Sequence, residues 1–596
     1  MPYFRALARH HWARARPLLA DAVCRQRPAI TSGVAKVAVA ATGGAAVLTT
    51  LACSSESWAS GEEKTYEAAE VAGRDGANGR PLWVTFNGGV FDITNFLKKH
   101  PGGSQFVKSA AGGPIEPWWR YWAYHNKSKD NVEALLSKYR IGRLAEWDPE
   151  EFDDIDLFDD EPARNLARSK HLIMVDEPLN TETWTSVLKK TYFTPSEVLY
   201  IRNHAPVPAE VNPEKHCVDF VLGTADQPFL IRSLKLGEIA SGPELSVPAV
   251  LQCAGNRAAD NIRATGPTGY FGTKFEVRVQ IPQPTIPTLP WLGAGYCLYQ
   301  MLSSVHLLFS NISHQNMGVG MVGCGVWGGV ALQSILETVY GDLLRSGGDD
   351  LWVEFHGLDG YFTSIPLAIV LDKHREALLA THLNGNPLSR DHGFPVRVFL
   401  PGVIGARSVK WLSKVVLRYG EGQSPWNKQF YKAQLPGKTE RLKDMPSAME
   451  LPLNSLILSN DASASQPGGN HFLHQSGKRV LSGVAYSGFT GDQVSAVQIS
   501  KDQGESWQDA KMERWQDDKK AVGNGSDSGG RGNYHWVRWE LMVDCTGVKE
   551  VWCRAFTASG EFQPKEPKPN PGFLFNGYHK VDVMALSKGL TRSLQK

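Results

Sequence analysis

One thiol and one guanidinium stand four positions apart in Leu251-Gln252-Cys253-Ala254-Gly255-Asn256-Arg257. A thiolate is a soft ligand for a soft or high-valent metal. A cation at Arg257 favours both the thiolate and an anion bound beside it. Taken alone, Cys253 reads as a buried structural cysteine, because free cysteine is among the most buried residue types. Two imidazoles form a second constellation. His100 precedes Pro101-Gly102-Gly103, and His125 follows an aromatic run from Trp118 to Trp122. A lone histidine is usually a satisfied polar side chain, but Gly102-Gly103 let backbone pass close to something flat.

The elements that must position these residues are legible in part. Trp83-Val84-Thr85-Phe86 and Val90-Phe91-Asp92-Ile93 read as two strands around the turn Asn87-Gly88-Gly89. Asp92 or Thr94 can cap a short helix over 95–99. Pro101 disfavours helix at the residue before it, so the chain leaves that helix at His100. The apolar run 247–251 leads straight to Cys253. Near the C-terminus, 480–488, 494–500, 536–543 and 550–556 alternate in strand fashion, with Gly-rich turns between them. Short strands at this spacing suggest an Ig-like β-sandwich over 437–596.

A chain of 596 residues has room for roughly three or four domains, each with its own core. A formal charge of +2 argues against a nucleic-acid partner and leaves electrostatic effects local. The eight cysteines form no CxxC pair and no zinc spacing, which argues against a disulfide scaffold. Cys545 and Cys553 read as reduced core residues.

Residues 1–30 carry Arg5, Arg9, Arg14, Arg16, Arg25 and Arg27 against the single acid Asp21, the pattern of a mitochondrial presequence. The apolar stretch 34–51 is interrupted by Lys36 and Gly43-Gly44 and is barely long enough to span a bilayer. A presequence followed by an apolar stop signal over 1–61 predicts sorting to the mitochondrial intermembrane space. The alternative is a single-pass anchor. The run 147–162 is dense in Asp and Glu, so 146–185 is expected to be an extended, self-repelling linker.

Taken in order, Phe91-Asp92-Ile93-Thr94, His100-Pro101-Gly102-Gly103 and His125 resemble the cytochrome b5 family over 62–145. The resemblance implies a haem b held by His100 and His125, with both axial positions filled and one-electron chemistry. A second set of motifs spans 186–436. It comprises Tyr200-Ile201-Arg202-Asn203-His204, the cysteine stretch, Phe355-His356-Gly357-Leu358-Asp359, Tyr361-Phe362-Thr363-Ser364, the run 390–397 and Gly405-Ala406-Arg407-Ser408-Val409-Lys410-Trp411. In this order they resemble the sulfite oxidase family of molybdenum enzymes.

That resemblance implies a multidomain α+β protein: a cytochrome b5-like haem domain, a mixed α/β molybdopterin domain and an Ig-like domain that pairs two subunits. It implies Cys253 as the thiolate on molybdenum, with Arg202, Arg257 and Tyr361 lining the substrate pocket. Tyr200, Ile201, Arg202, Asn203, His204, Asp359, His392, Arg397, Ser408, Val409 and Lys410 would hold the pterin and its phosphate. The implied activity is oxidation of sulfite to sulfate, with electrons passing singly through haem b to cytochrome c. The alternatives are a nitrate reductase-like enzyme, and a haem electron carrier whose molybdenum domain is inactive.

Three departures from the family pattern stand out. A second Arg after the cysteine motif is replaced by Ala258, and a family Arg near the C-terminus falls on Pro571. A Lys and a Trp expected in the strand after the motif have no equivalent. In addition, nothing in the family corresponds to 277–315. Removing it joins Phe275-Glu276 to Asn316-Met317-Gly318. A translated intron is the favoured reading, ahead of a genuine loop or a membrane-contacting insertion.

Overall fold

Asn87 and Gly88 both adopt left-handed backbone, at φ 46° and 73°, as a two-residue type I′ hairpin requires. They join Trp83–Phe86 to Gly89–Asp92, which pair antiparallel with Val84 opposite Phe91. Arg140–Leu144 adds antiparallel to Gly89–Asp92, and Thr65–Tyr66 adds parallel to Arg140–Leu144. Val84, Phe86, Phe91, Ile93 and Trp119 form the core on one face of this small sheet. The helix expected over 95–99 is a single 3-10 turn, Leu97–Lys99, that ends in extended backbone at His100. Asp92 does not cap it; its carboxylate accepts from the Thr94 amide and hydroxyl.

The computed structural model describes residues 63–100, 107–108, 110–121, 125, 129–147, 170–175, 178–208, 211–223, 228–265, 318–346, 350–433, 445–461, 477–515, 532–567 and 573–583. The expected presequence, most of the acidic stretch, the segment 277–315 and Pro571 lie outside these residues. Among the described residues, no helix is long and apolar enough to cross a membrane.

The linker expected over 146–185 is corrected at its C-terminal side. Leu172–Val175 pairs with Asn180–Glu182, and His171, Asn180, Thr181 and Glu182 are buried. The acidic residues that suggested a tether all precede this ribbon.

The central region carries two five-stranded sheets. In one, Glu244–Gln252 pairs antiparallel with Val322–Ala331, which pairs with Leu378–Leu383, and Arg397–Phe399 adds beyond that. In the other, Phe362–Pro366, Leu351–Gly357, Leu412–Tyr419, Cys217–Gly223 and Pro228–Lys235 lie side by side. Apolar residues of both sheets join one core, which includes Phe220, Val353, Phe355, Leu379, Phe399 and Val415. Stacking of Trp327 on Phe399, with ring centres 4.3 Å apart, adds aromatic packing to that apolar burial.

Two four-stranded antiparallel sheets make up the C-terminal domain. One contains Asn454–Asp461, Lys478–Tyr486, Val537–Asp544 and Lys511–Glu513; the other contains Gln508–Asp509, Val494–Ser500, Glu550–Thr557 and His579–Asp582. Ile457, Leu481, Val497, Ile499, Trp539, Val551 and Cys553 fill the space between them. This is the expected sandwich. Cys545 and Cys553 are free thiols, both buried.

Candidate functional site

Several loops at the ends of the two central sheets meet around one cavity. Tyr200, Arg202 and His204 enter it just after the 3-10 turn Ser196–Val198. Cys253 enters directly after the strand Glu244–Gln252. Asp359 and Tyr361 come from the turn between Leu351–Gly357 and Phe362–Pro366. His392 comes from the turn Arg390–His392, and Arg397 from the start of the next strand. Ser408, Val409 and Lys410 follow the turn Gly405–Arg407. Gly393 must be glycine: its φ is 105°, and a Cβ there would lie 3.0 Å from Lys410 Cβ and 3.1 Å from Arg397 Cβ.

Cys253 is 7% exposed. Burial pushes its thiol above the ordinary value, while the charge of Arg202 and hydrogen bonds from Arg202 and the Gly255 amide pull it down. Arg202 is held by Asn180, whose Oδ1 accepts from Nη1 at 2.8 Å, and by the Asn203 carbonyl. The ribbon at 172–182 therefore aims the pocket's guanidinium at the thiol.

Lys410 donates to the Asp391 carbonyl at 2.8 Å and to Asn203 Oδ1. Burial, and then the charge of Arg397, lowers its pKa to about 7. Burial also raises Asp359 to about 6. Asn203 Nδ2 is buried without a partner, an expensive state unless an acceptor arrives. The Lys410 ammonium and the Arg397 guanidinium thus line the cavity that also holds the thiol, and the unpartnered Asn203 amide lies just behind them. This donor set fits an anionic cofactor with a phosphate end and a metal that accepts sulfur.

The implied roles of several residues are refined or corrected. His392 lines the cavity, but both its ring nitrogens are committed within the protein. Nδ1 faces Ser389 Oγ at 2.8 Å, and Nε2 faces the carbonyls of Leu199 and Tyr200 at 3.2 Å. Burial followed by the Lys410 and Arg397 charges lowers its pKa to about 3, so the ring is neutral. Ile201 and Asn203 are buried behind the lining; Ile201 exchanges hydrogen bonds with Thr181.

Arg257 is not in the pocket. Its backbone is left-handed at φ 64°, and its side chain, 0% exposed, turns into the C-terminal domain. It donates to Asp260, three residues on, at 2.8 Å, and in that domain to Asn454 at 2.8 Å, to the Gly577 carbonyl at 2.9 Å and to the Tyr578 carbonyl at 3.2 Å. Four of its five N–H donors are so occupied, and the guanidinium is absent from the cavity lining.

Sequence reasoning missed Tyr431, Asp391 and Arg407. Tyr431 lines the cavity and contacts His204. Arg407 is buried beside it, donating to the carbonyls of Ala448, Trp426 and Tyr431 and to Thr363. Asp391 stood inside a quoted motif; Tyr431 had no periodic or spacing signal at all.

In the N-terminal module, the ring centres of His100 and His125 are 6.0 Å apart. Two imidazoles bound to opposite sides of one metal, at about 2.0–2.1 Å each, place their ring centres roughly 6 Å apart. His125 Nδ1 is buried without a hydrogen-bond partner, and burial together with His100 lowers the pKa of His125 to about 4. A neutral ring keeps a lone pair for a metal. Trp119 flanks His125 at 4.9 Å, and Phe96 flanks His100 at 5.8 Å. The module fits a haem held between the two histidines.

Comparison with known proteins agrees. Residues 67–145 match the cytochrome b5-like heme/steroid binding domain, 296–426 the oxidoreductase molybdopterin binding domain, and 445–586 the Mo-co oxidoreductase dimerisation domain; the second match takes in 296–315, part of the segment expected to have no family counterpart. The chain is 32% identical to mitochondrial sulfite oxidase of Homo sapiens, covering 84% of this chain and 81% of that one. It is also 32% identical to sulfite oxidase of Gallus gallus, covering 84% and 95%. Its match to the NADPH nitrate reductase of Neurospora crassa is 26% identical and takes in only 43% of that enzyme. With a haem-binding module, a molybdopterin-binding domain and identity of this extent, the chain belongs to the sulfite oxidase family.

Proposed function

We propose that the protein oxidises sulfite to sulfate and passes the electrons singly to cytochrome c. The observation that carries this reading is the meeting of the Cys253 thiol and the Arg202 guanidinium in one cavity. When bound, the molybdenum cofactor supplies two-electron oxygen-atom transfer, and haem b supplies the one-electron steps to the acceptor. Cys253 would be the protein's thiolate on the metal. Lys410, Asn203 and Ser408 would grip the phosphate end, with Arg397 adding positive charge behind them. Arg202, oriented by Asn180, would hold the substrate anion and its product.

Tyr361 donates its hydroxyl to the Ala406 carbonyl at 2.8 Å, and its ring lies 4.6 Å from His204. In this reading it shapes the pocket edge and offers an oxygen lone pair. Removing a single preorganised donor of the kind Arg202 provides typically costs about 2.7–4 kcal/mol of transition-state stabilisation.

His100 and His125 would hold the haem iron between their imidazoles. The arginine-rich residues 1–30 and the apolar stretch 34–51 support delivery to the mitochondrial intermembrane space, and the C-terminal sandwich would pair two subunits. The test is sulfite-dependent reduction of cytochrome c by the purified holoprotein, with nitrate as the competing substrate. Cys253→Ser should keep the haem spectrum and lose sulfite oxidation. Near-normal turnover in a molybdenum-replete Ser variant would sink the assignment.

A further inference from the structure

The loop carrying Cys253 is fastened from outside its own domain. Gln252, just before the cysteine, bonds through its side chain to the Tyr486 hydroxyl. The carbonyl of Ala254, just after it, accepts from the Leu574 amide at 2.9 Å. Arg257 then closes the loop with bonds to Asn454, Gly577 and Tyr578, and its guanidinium lies 4.7 Å from the Phe575 ring centre. All these partners lie in the C-terminal sandwich or its final loop. Within the loop itself, the Arg257 amide donates to the Gly318 carbonyl at 2.7 Å.

We propose that Arg257 is a positioning residue, which holds the Cys253 thiol in place by tying its loop to the C-terminal domain. Two features argue for this over simple packing. A left-handed arginine is uncommon and persists only where surrounding contacts over-determine it. In addition, a buried ion pair such as Arg257 with Asp260 contributes little net stability after desolvation, but breaking it leaves a buried charge unpaired. The arrangement specifies geometry more than it adds stability. A disturbance of the sandwich is thereby transmitted to the thiol through bonds that flank it on both sides.

The inference rests on Cys253 being the metal's thiolate, so the test reads the loop without the metal. In cofactor-free full-length protein, alkylation of each cysteine by iodoacetamide is followed by mass spectrometry. Arg257→Met should raise the rate at Cys253 about tenfold or more, while buried Cys324 and Cys553 stay slow. Arg257→Lys should fall between. Tyr486→Phe, which removes only a hydroxyl, should give a smaller rise confined to Cys253 and keeps the test open if Arg257→Met fails to fold. In the holoprotein, Arg257→Met should lower kcat with little change in KM for sulfite and leave the haem spectrum unchanged. Equal alkylation in wild type and variants, a rise shared by all buried thiols, or a raised KM at constant kcat would each overturn the proposal.

Discussion

The hydroxyl of Tyr431 lies 2.8 Å from Nε2 of His204, and both residues line the cavity that holds Cys253 and Arg202. The ring of Tyr431 is fixed independently, 5.1 Å from Phe573 and 5.8 Å from Trp426. Tyr431→Phe therefore removes a hydrogen bond with little loss of packing. A hydrogen bond of this kind contributes about 0.5–1.5 kcal/mol, so kcat/KM for sulfite should fall roughly 2–10-fold. Steady-state kinetics with unchanged kcat/KM would remove Tyr431 from the site.

His125→Ala should block transfer to cytochrome c while leaving the sulfite-reducible cofactor intact. The haem would lose one of two facing imidazoles, whose ring centres stand 6.0 Å apart. Ferricyanide, which can take electrons directly at molybdenum, should retain sulfite-dependent reduction. Equal loss with both acceptors would mean that the haem module is structural.

His579 gives the fold an acid-sensitive joint. The Ile457 amide donates to its Nδ1 at 2.8 Å, and Nε2 lies 3.9 Å from Asp260. Burial, then the charge of Arg257, lowers its pKa to about 3. Because the folded value lies below the unfolded one of about 6.5, the unfolded chain takes up the proton first on acidification. The stability due to neutral His579 is thus present above about pH 6.5 and lost as pH falls from there towards 3, by about 1.4 kcal/mol per pH unit. Denaturation midpoints of cofactor-free protein between those limits should fall less steeply for His579→Gln. Parallel slopes would show that His579 does not set the acid response.

Deleting 277–315 should improve solubility and preserve sulfite oxidation. Contacts among the described residues close the motif onto residue 321, beyond the segment: the Cys253 amide donates to the Met321 carbonyl at 3.0 Å, and the Met321 amide donates to Asn256 Oδ1 at 3.2 Å. Loss of the cofactor from the deletion variant would make the segment a working part of the enzyme. Sequencing the source transcript independently decides whether these codons are translated.

What the sequence disclosed follows from which signals are local. Asn87-Gly88 named its own hairpin because only one turn type suits that pair between strands. Val494–Ser500 was legible from alternation alone. Arg257 was misread because spacing places it near Cys253 but says nothing of φ, and a left-handed residue sends its side chain the other way. Tyr431 was invisible because its partners His204 and Arg407 are remote in sequence or hidden by burial. The ribbon at 172–182 was missed because the acidic run before it dominated the local composition.

The strands on either side of the Cys253 loop are zipped together from Gln252↔Val322 to Glu244↔Val330. Chain added between them leaves and returns at the closed end of that zipper. Loop-closure entropy grows only logarithmically, by about 0.6 kcal/mol for each doubling of length. A long intervening stretch therefore weakens the finished sheet very little. The burden falls on the search: the two strands must find each other across a longer separation, which slows folding and prolongs exposure of unpaired edges. Evolution at this joint is thus constrained less by how firmly the strands hold than by how long they take to meet.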